Sequence, residues 1–202
     1  MKILIIGGNG TIGSKVSNNF SKKYEVIIAG RNSGDFTVDM GDSESIKAMF
    51  EKVGKVDAVV CTAGDAKWAN FDAMTEDDFY IGIKSKLMGQ VNLVRIGKEY
   101  MNPGGSFTLS TGILADHPVV MTTSAAMVNG GIHSFVKAVS LELENNIRIN
   151  VVSSGLVEDA VEIYEDSFPG HNPIPMKKVV NGFVKSVEGK GNGEIIRMYD
   201  NC

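Results

Sequence analysis

Seven residues near the N-terminus, Gly7-Gly8-Asn9-Gly10-Thr11-Ile12-Gly13, have the composition and spacing to cradle a pyrophosphate. They follow an apolar run at 2–6 (KILII) and precede a segment in which Ile12, Val16 and Phe20 recur every four residues, so the loop ends a strand and opens a helix. Glycine allows the tight turn and a close approach of backbone to ligand. The helix N-terminus adds free N–H groups and the positive end of its dipole. A glycine-rich turn with other flanks says little. Between a strand and a helix, Gly7, Gly8, Gly10, Thr11, Ile12 and Gly13 read as a dinucleotide-binding loop.

The end of the next apolar run, 25–29 (EVIIA), bears on which dinucleotide is bound. A site for NAD(H) places a carboxylate about 20 residues beyond the loop, on the ribose 2′-OH. This chain has Gly30-Arg31-Asn32-Ser33 there. Arg31 can pair with a 2′-phosphate and Asn32 and Ser33 can add hydrogen bonds, so NADP(H) is expected over NAD(H). Asp35 is the nearby residue that argues the other way.

Other reactive types lack a constellation. His117, His133 and His171 are widely spaced, Cys61 and Cys202 lie far apart, and no metal site is expected from them. His133 follows Ile132 on an amphipathic stretch and reads as a core histidine. No GxSxG nucleophile elbow occurs.

These groups need a frame, and the pattern along the chain supplies one. Strands at 2–6, 25–29, 36–39, 56–61, 106–110, 147–152 and 194–199 alternate with helical patterns at 12–23, around 46–53, 76–100, 124–145 and 176–188, with Asp42 or Ser43 as a cap for the second helix. The order predicts an α/β, Rossmann-type doubly wound parallel sheet of about seven strands with helices on both faces. At 202 residues and 43% apolar, one dinucleotide-binding domain over 1–202 is expected. The stretch 153–175 holds three of the five prolines and reads as a substrate lid or wall. A net charge of −4 and a pI near 5.4 argue against nucleic acid or a membrane surface as partner. The apolar run Ile3 to Ile6 is too short for a signal peptide or a spanning helix. With only two cysteines and no disulfide framework, the expected location is cytoplasmic.

Together these segments resemble the short-chain dehydrogenase/reductase family over nearly the whole chain. The resemblance is carried by Gly7 to Gly13, the adenine-side Asp39-Met40, Thr62-Ala63-Gly64, Leu87-Met88-Gly89 and Ser110-Thr111-Gly112. It continues in Leu141-Glu142-Leu143, Arg148-Ile149-Asn150-Val151-Val152-Ser153, Gly155 and Asn192-Gly193-Glu194. It implies that Asp39, Met40, Ala63 and Gly64 contribute to the cofactor site. It also implies a tyrosine acid/base, a lysine four residues later that lowers its pKa and holds the nicotinamide ribose, a serine on the substrate oxygen and an asparagine that orients a water.

Counting back from Leu141-Glu142-Leu143, the tyrosine position falls on Ala125 and the lysine position on Asn129, while the asparagine position falls on Lys86. Only the serine has a counterpart, Ser110 or Thr111. Tyr80 with Lys84 keeps the spacing but precedes strand five, so the pair reads as coincidence. Candidate catalytic groups are therefore Ser110, Thr111 and Lys86, with Thr122, Thr123 and His117 nearby in the sequence. The resemblance implies an oxidoreductase moving hydride between NADP(H) and a small carbonyl or alcohol, with a non-standard site. The alternative is a non-catalytic protein that senses NADP(H). An isomerase or epimerase fits less well, because such relatives keep the tyrosine. The apolar faces of 76–100 and 124–145 correspond to the family's four-helix contact, so a homodimer or homotetramer is expected.

Overall fold

The computed structural model describes residues 1–199; Cys202, one of the two cysteines, lies outside them. Seven parallel strands form one sheet in the order β3-β2-β1-β4-β5-β6-β7. They are β1 (Lys2–Ile6), β2 (Glu25–Gly30), β3 (Phe36–Thr37), β4 (Val56–Cys61), β5 (Met101–Gly112), β6 (Arg148–Ser154) and β7 (Ile195–Met198). The strand order reverses beside β1, which places a crevice above the carboxyl ends of β1 and β4, where open α/β sheets bind their ligands.

Both faces of the sheet are covered. Helices α1 (Thr11–Phe20) and α7 (Met176–Glu188) pack Val16, Phe20, Val179 and Phe183 onto Ile3, Ile5, Ala58 and Val60. On the opposite face lie α2 (Ser43–Val53), α4 (Gly89–Gly97) and α5 (Thr123–Val139). They bury Ile46, Phe50, Leu93, Ile132 and Val136 against Leu4, Ile6, Val59 and Phe107. The central strands read as unbroken apolar runs for this reason: neighbours on both sides leave no solvent face. A third, smaller core of Ile113, Leu114, Leu156, Phe168 and Tyr199 sits above the ends of β5 and β6.

Several boundaries move. Asp42 is the cap of α2, its carboxylate accepting from Glu44 N at 2.9 Å. The third strand shrinks to two residues. β5 starts at Met101 rather than 106: Met101 pairs with Val56, the ladder breaks around Gly104 (φ 77°), and pairing resumes at Ser106 opposite Ala58. α5 stops at Val139, six residues short of the expected end; tightened turns follow, Leu141 N bonding Ala138 O and Glu142 N bonding Val139 O, and Asn145 and Asn146, with left-handed φ values of 55° and 57°, turn the chain into β6.

The long helix expected at 76–100 is not continuous. α3 (Glu76–Gly82) passes into a π-helical stretch at Ile83–Met88 before α4, with Gly89 N bonding back to the carbonyl of Lys84, five residues earlier. Close packing accompanies the widened turn. A Cβ on Gly82 would press on Ala66 and Ser124, and one on Gly89 would meet Met40 O at 2.8 Å. The stretch 153–175 carries short helical turns, including α6 (Val161–Tyr164), and is tied to itself by a bridge between Val157 and Ile174. No helix among the described residues is long and apolar enough to cross a membrane.

Candidate functional site

The glycine loop is held from behind and left open in front. Gly7 turns the chain out of β1 at φ 79° and its N–H bonds Ala29 O at 2.7 Å. Thr62 Oγ1 donates to the carbonyls of Ile6 and Gly7 at 3.0 and 3.1 Å, and buried Ser17 Oγ donates to Gly8 O at 3.2 Å. The carbonyls of the loop are thus occupied, and the N–H groups of the first turn of α1 have no carbonyl one turn back. Gly10 caps that helix with no side-chain cap, and no acidic residue lies in its first turn.

The four glycines have different reasons to be glycine. A Cβ on Gly8 would strike Ser17 Oγ and Ile28, and one on Gly13 would overlap Gly7 O and meet Thr62 Oγ1 at 2.7 Å. These two allow α1 to approach the sheet. Gly10 has φ −76° and ψ 178°, open to any residue, and a Cβ there would touch only Gly7 O, at 3.3 Å. The fold makes little demand for glycine at position 10, whereas a pyrophosphate lying on the helix end does. The residues present fit a dinucleotide.

Two adjoining clefts of about 310 and 460 Å³ share Gly7, Gly30, Arg31, Ala63 and Gly64. Asn32 and Met40 line the first, and Gly10 and Ser33 the second. Asn9 Nδ2 donates to Ser33 Oγ at 3.1 Å and joins the glycine loop to the turn after β2. Exposed Arg31 makes no hydrogen bond or ion pair with any described residue. Asp35, by contrast, turns its carboxylate to Ile28 N at 2.8 Å while its own N–H bonds Ile28 O, so it is spent on the edge of β2. Asp39 folds onto its own turn, accepting from Gly41 N at 2.9 Å, and lines neither cleft.

Around the ends of β5 and β6 the polar groups mostly satisfy one another. Alternation along β5 sends Phe107 and Leu109 toward α2, α4 and α5, and Thr108 toward Ser186 of α7. Thr111 therefore faces α5, where its Oγ1 lies 2.8 Å from His133 Nε2. Ser110 lies between Leu109 and Thr111, and its backbone is gripped by buried Gln90, whose amide exchanges two 3.0 Å bonds with Ser110 N and O. Gln90 completes the strand where pairing with β4 has ended at Thr108. Neither His133 nor Gln90 stands out in the sequence, since each sits at a helix position that also suits an apolar residue. Burial pushes the His133 imidazole below its usual range.

Asp116, in the turn after β5, receives Arg197 Nε at 2.7 Å and Arg197 Nη2 at 3.2 Å and forms a short bond with the Tyr199 hydroxyl. The Arg197 guanidinium holds the Asp116 carboxyl down at about 2. Tyr199 in turn lies 3.4 Å from Ser153 Oγ. Lys86 crosses directly over Gly64, whose φ of 126° and lack of a side chain make room for the lysine stem. Burial lowers the Lys86 pKa, opposed by Cys61 and Asp65 nearby. Tyr80 is exposed and donates to Glu76 Oε1 at 3.0 Å, with Lys84 Nζ over its ring, so this pair is a feature of the helix surface. Thr122 Oγ1 donates to Val119 O at 2.6 Å, and the His117 ring meets that of Tyr199 edge-on.

Ala125 and Asn129 are both buried on α5, at the positions where the resemblance implies tyrosine and lysine. Asn129 Oδ1 and Ser124 Oγ are buried without hydrogen-bond partners. Among the described residues, no group of three His, Cys, Asp or Glu side chains is placed to hold a metal ion.

Known proteins resemble this chain in sequence and fold. Residues 12–178 match the family model described as enoyl-(acyl carrier protein) reductase, of the short-chain dehydrogenase type. The chain is 26% identical over 180 residues to the 3-oxoacyl-[acyl-carrier-protein] reductase FabG of Thermotoga maritima, covering 77% of this chain and 73% of that one. The solved structure of protein lin1944 from Listeria innocua is 46% identical, with a TM-score of 0.97 over 98% of this chain and all of that one. A small-chain dehydrogenase solved in complex with NADPH is 23% identical and shares the fold, with a TM-score of 0.86 over 98% and 95% of the two chains. With the glycine loop at a strand-order reversal and a family match across most of its length, the chain belongs to the short-chain dehydrogenase/reductase family of oxidoreductases.

Proposed function

We propose that the protein is an NADP(H)-dependent oxidoreductase for a small carbonyl or alcohol, with an active site that works without the family's tyrosine and lysine. One observation carries the cofactor choice: Arg31 faces the cleft unpaired while Asp35, the nearby carboxylate, is spent on the backbone of Ile28. The guanidinium is free to pair with a 2′-phosphate, and no acid stands at Gly30 to receive a 2′-OH. The NADPH complex of the small-chain dehydrogenase supports the same reading.

NADP(H) supplies the hydride when bound. Gly7, Gly10, Thr11 and Ile12 present backbone to the pyrophosphate, with Gly8 and Gly13 letting the helix approach. Arg31, Asn32 and Ser33 hold the phosphorylated ribose, and Met40, Ala63 and Gly64 border the adenine side, with Asp39 shaping the turn behind Met40. Ser110, Thr111 and Lys86 are the groups assigned to the substrate oxygen and its proton. Thr111 has His133 behind it as a proton partner, and burial, by lowering the Lys86 pKa, eases the loss of its proton. Residues 153–175 form the wall over the substrate. The groove of about 420 Å³ between α4 and α5, with Val91, Phe135, Val139 and Leu143, is the face assigned to a homodimer or homotetramer contact.

Calorimetry with NADPH and NADH tests the cofactor assignment. NADPH should bind at least ten-fold more tightly, and Arg31→Ala should remove most of the difference, as expected for a charge-assisted contact of about 1.5–3 kcal/mol. Equal affinity for the two in the native protein overturns it. Oxidation of NADPH with a panel of small aldehydes and ketones tests turnover.

A further inference from the structure

Past Ile12, in the first turn of α1, a third cavity of about 250 Å³ lies between the end of β5 and the 153–175 wall. Trp68, Tyr164 and Phe168 form its outer side, with the Trp68 ring 5.4 Å from that of Tyr164 and 6.3 Å from that of Phe168. Leu114 and Leu156 line it further in, and no side chain lining it is charged. Whatever part of this space the cofactor takes, these apolar groups are what remains for a substrate.

A single unsatisfied amide backs the cavity. Asn129 is 4% exposed, its Oδ1 has no partner, and its Nδ2 lies 3.9 Å from the point a Cβ on Gly112 would occupy. Gly112 itself lines the cavity, so the amide stands behind the gap left by the missing side chain. A buried acceptor without a partner is costly, and a ligand hydroxyl that donates to Asn129 Oδ1 relieves the cost. An amide also serves both members of a carbonyl/alcohol pair, donating from Nδ2 to a ketone oxygen and accepting at Oδ1 from a hydroxyl.

The rim carries the opposite message for anions. Between Arg148 and Lys177 there is no lysine or arginine, and 158–166 holds Glu158, Asp159, Glu162, Glu165 and Asp166. Glu158 accepts from Met176 N and Asp159 pairs with Lys15, which leaves Glu162, Glu165 and Asp166 as unpaired charge on the wall. A second negative charge entering here is repelled at the rim and then stripped of water in an apolar space.

We infer that the substrate is a small, uncharged ketone or aldehyde with an apolar ring or short alkyl chain, that Asn129 adds a contact to its oxygen beside the Ser110, Thr111 and Lys86 groups assigned above, and that carboxylated, phosphorylated and carrier-linked carbonyls are excluded. The inference rests on the oxidoreductase reading above, and it departs from the acyl-carrier activities named for the matched family and for the Thermotoga maritima relative.

Trp68 is the one tryptophan of the chain, so its emission reports on this cavity alone. Protein saturated with NADP⁺, its binding first measured by calorimetry, is titrated with cyclohexanone and with 4-oxocyclohexanecarboxylate. Cyclohexanone should change the emission at a concentration at least ten-fold lower than the carboxylate does. Asn129→Leu should raise the cyclohexanone requirement at least five-fold. Replacing Glu162 and Asp166 together by lysine should bring the carboxylate several-fold closer to cyclohexanone. Equal or tighter binding of the carboxylate to the native protein overturns the inference, as does an emission that neither ketone changes while NADP⁺ is bound. Cyclohexanone binding without any NADPH oxidation overturns the oxidoreductase reading and leaves the cavity assignment standing.

Discussion

The crevice above β1 and β4 and the pocket above β5 and β6 are built on opposite principles. In the crevice the backbone is braced from behind by Thr62 and Ser17, while Gly10 and Arg31 face outward with nothing of the protein upon them. Above β5 and β6 the side chains that a reaction would use are largely bonded to one another: Thr111 with His133, and Asp116 with Arg197 and Tyr199. The first region is shaped by a ligand still to come, the second mostly by its own partners. Among the described residues, Asn129 Oδ1, Ser124 Oγ and, in the wall, His171 Nε2 are left without partners there. A family member can therefore keep its cofactor end intact while the reacting end is rebuilt, because the two are held by separate sets of contacts.

Glycine replacements give the largest separation between the two kinds of constraint. Gly13→Val should leave little folded protein, since its side chain overlaps Gly7 O and Thr62. Gly10→Val should remain folded, with thermal unfolding near that of the native chain, and bind NADPH about a hundred-fold or more weakly, for a loss of roughly 3 kcal/mol or more. If Gly10→Val binds normally, the loop is only a turn and the contrast between the regions collapses.

Next in size is the Thr111–His133 pair. His133→Leu strands a buried hydroxyl and should cost about 1–3 kcal/mol, seen as a fall of several degrees in melting temperature. NADPH affinity should hardly move. A large loss of cofactor binding would show that the two regions are coupled after all.

Acid should dissect the second region further. His133 has its folded pKa lowered, so the unfolded chain binds that proton more readily; stability is whole above the ordinary value of 6.5 and declines as pH falls through it. Asp116 is also lowered, from 3.8 to about 2, so its contribution is present above 3.8 and is lost between there and 2. Urea unfolding across this range should show two separate declines. His133→Leu should remove the upper one and Asp116→Asn the lower.

The smallest effect is expected at Tyr80. Its ring is exposed and its hydroxyl meets only Glu76, so Tyr80→Phe should shift stability by less than about 0.5 kcal/mol and leave turnover unchanged. A reaction abolished by this change would mean that the family's tyrosine had been relocated.

Much of this was legible before any coordinates. The buried strands announce themselves as apolar runs because a parallel sheet covered on both faces has no polar side, and the glycine loop is recognisable because its flanks fix its role. The shortened third strand, the early start of β5 and the π-helical stretch at 83–88 were not legible. Each depends on backbone approach between distant segments, such as Gly89 against Met40. Tyr80 with Lys84 shows the converse, a spacing that suggests chemistry and is placed on a surface.

By itself, the sequence determined the doubly wound sheet, the dinucleotide loop and the lack of tyrosine and lysine at 125 and 129, because periodicity and local spacing are properties of the chain alone. Tertiary structure decided that Arg31 is free while Asp35 is spent, that His133 serves Thr111, and that Asn129 stands unsatisfied behind Gly112. Whether a polar group is available depends on which partner reaches it first, and those partners come from segments up to tens of residues away.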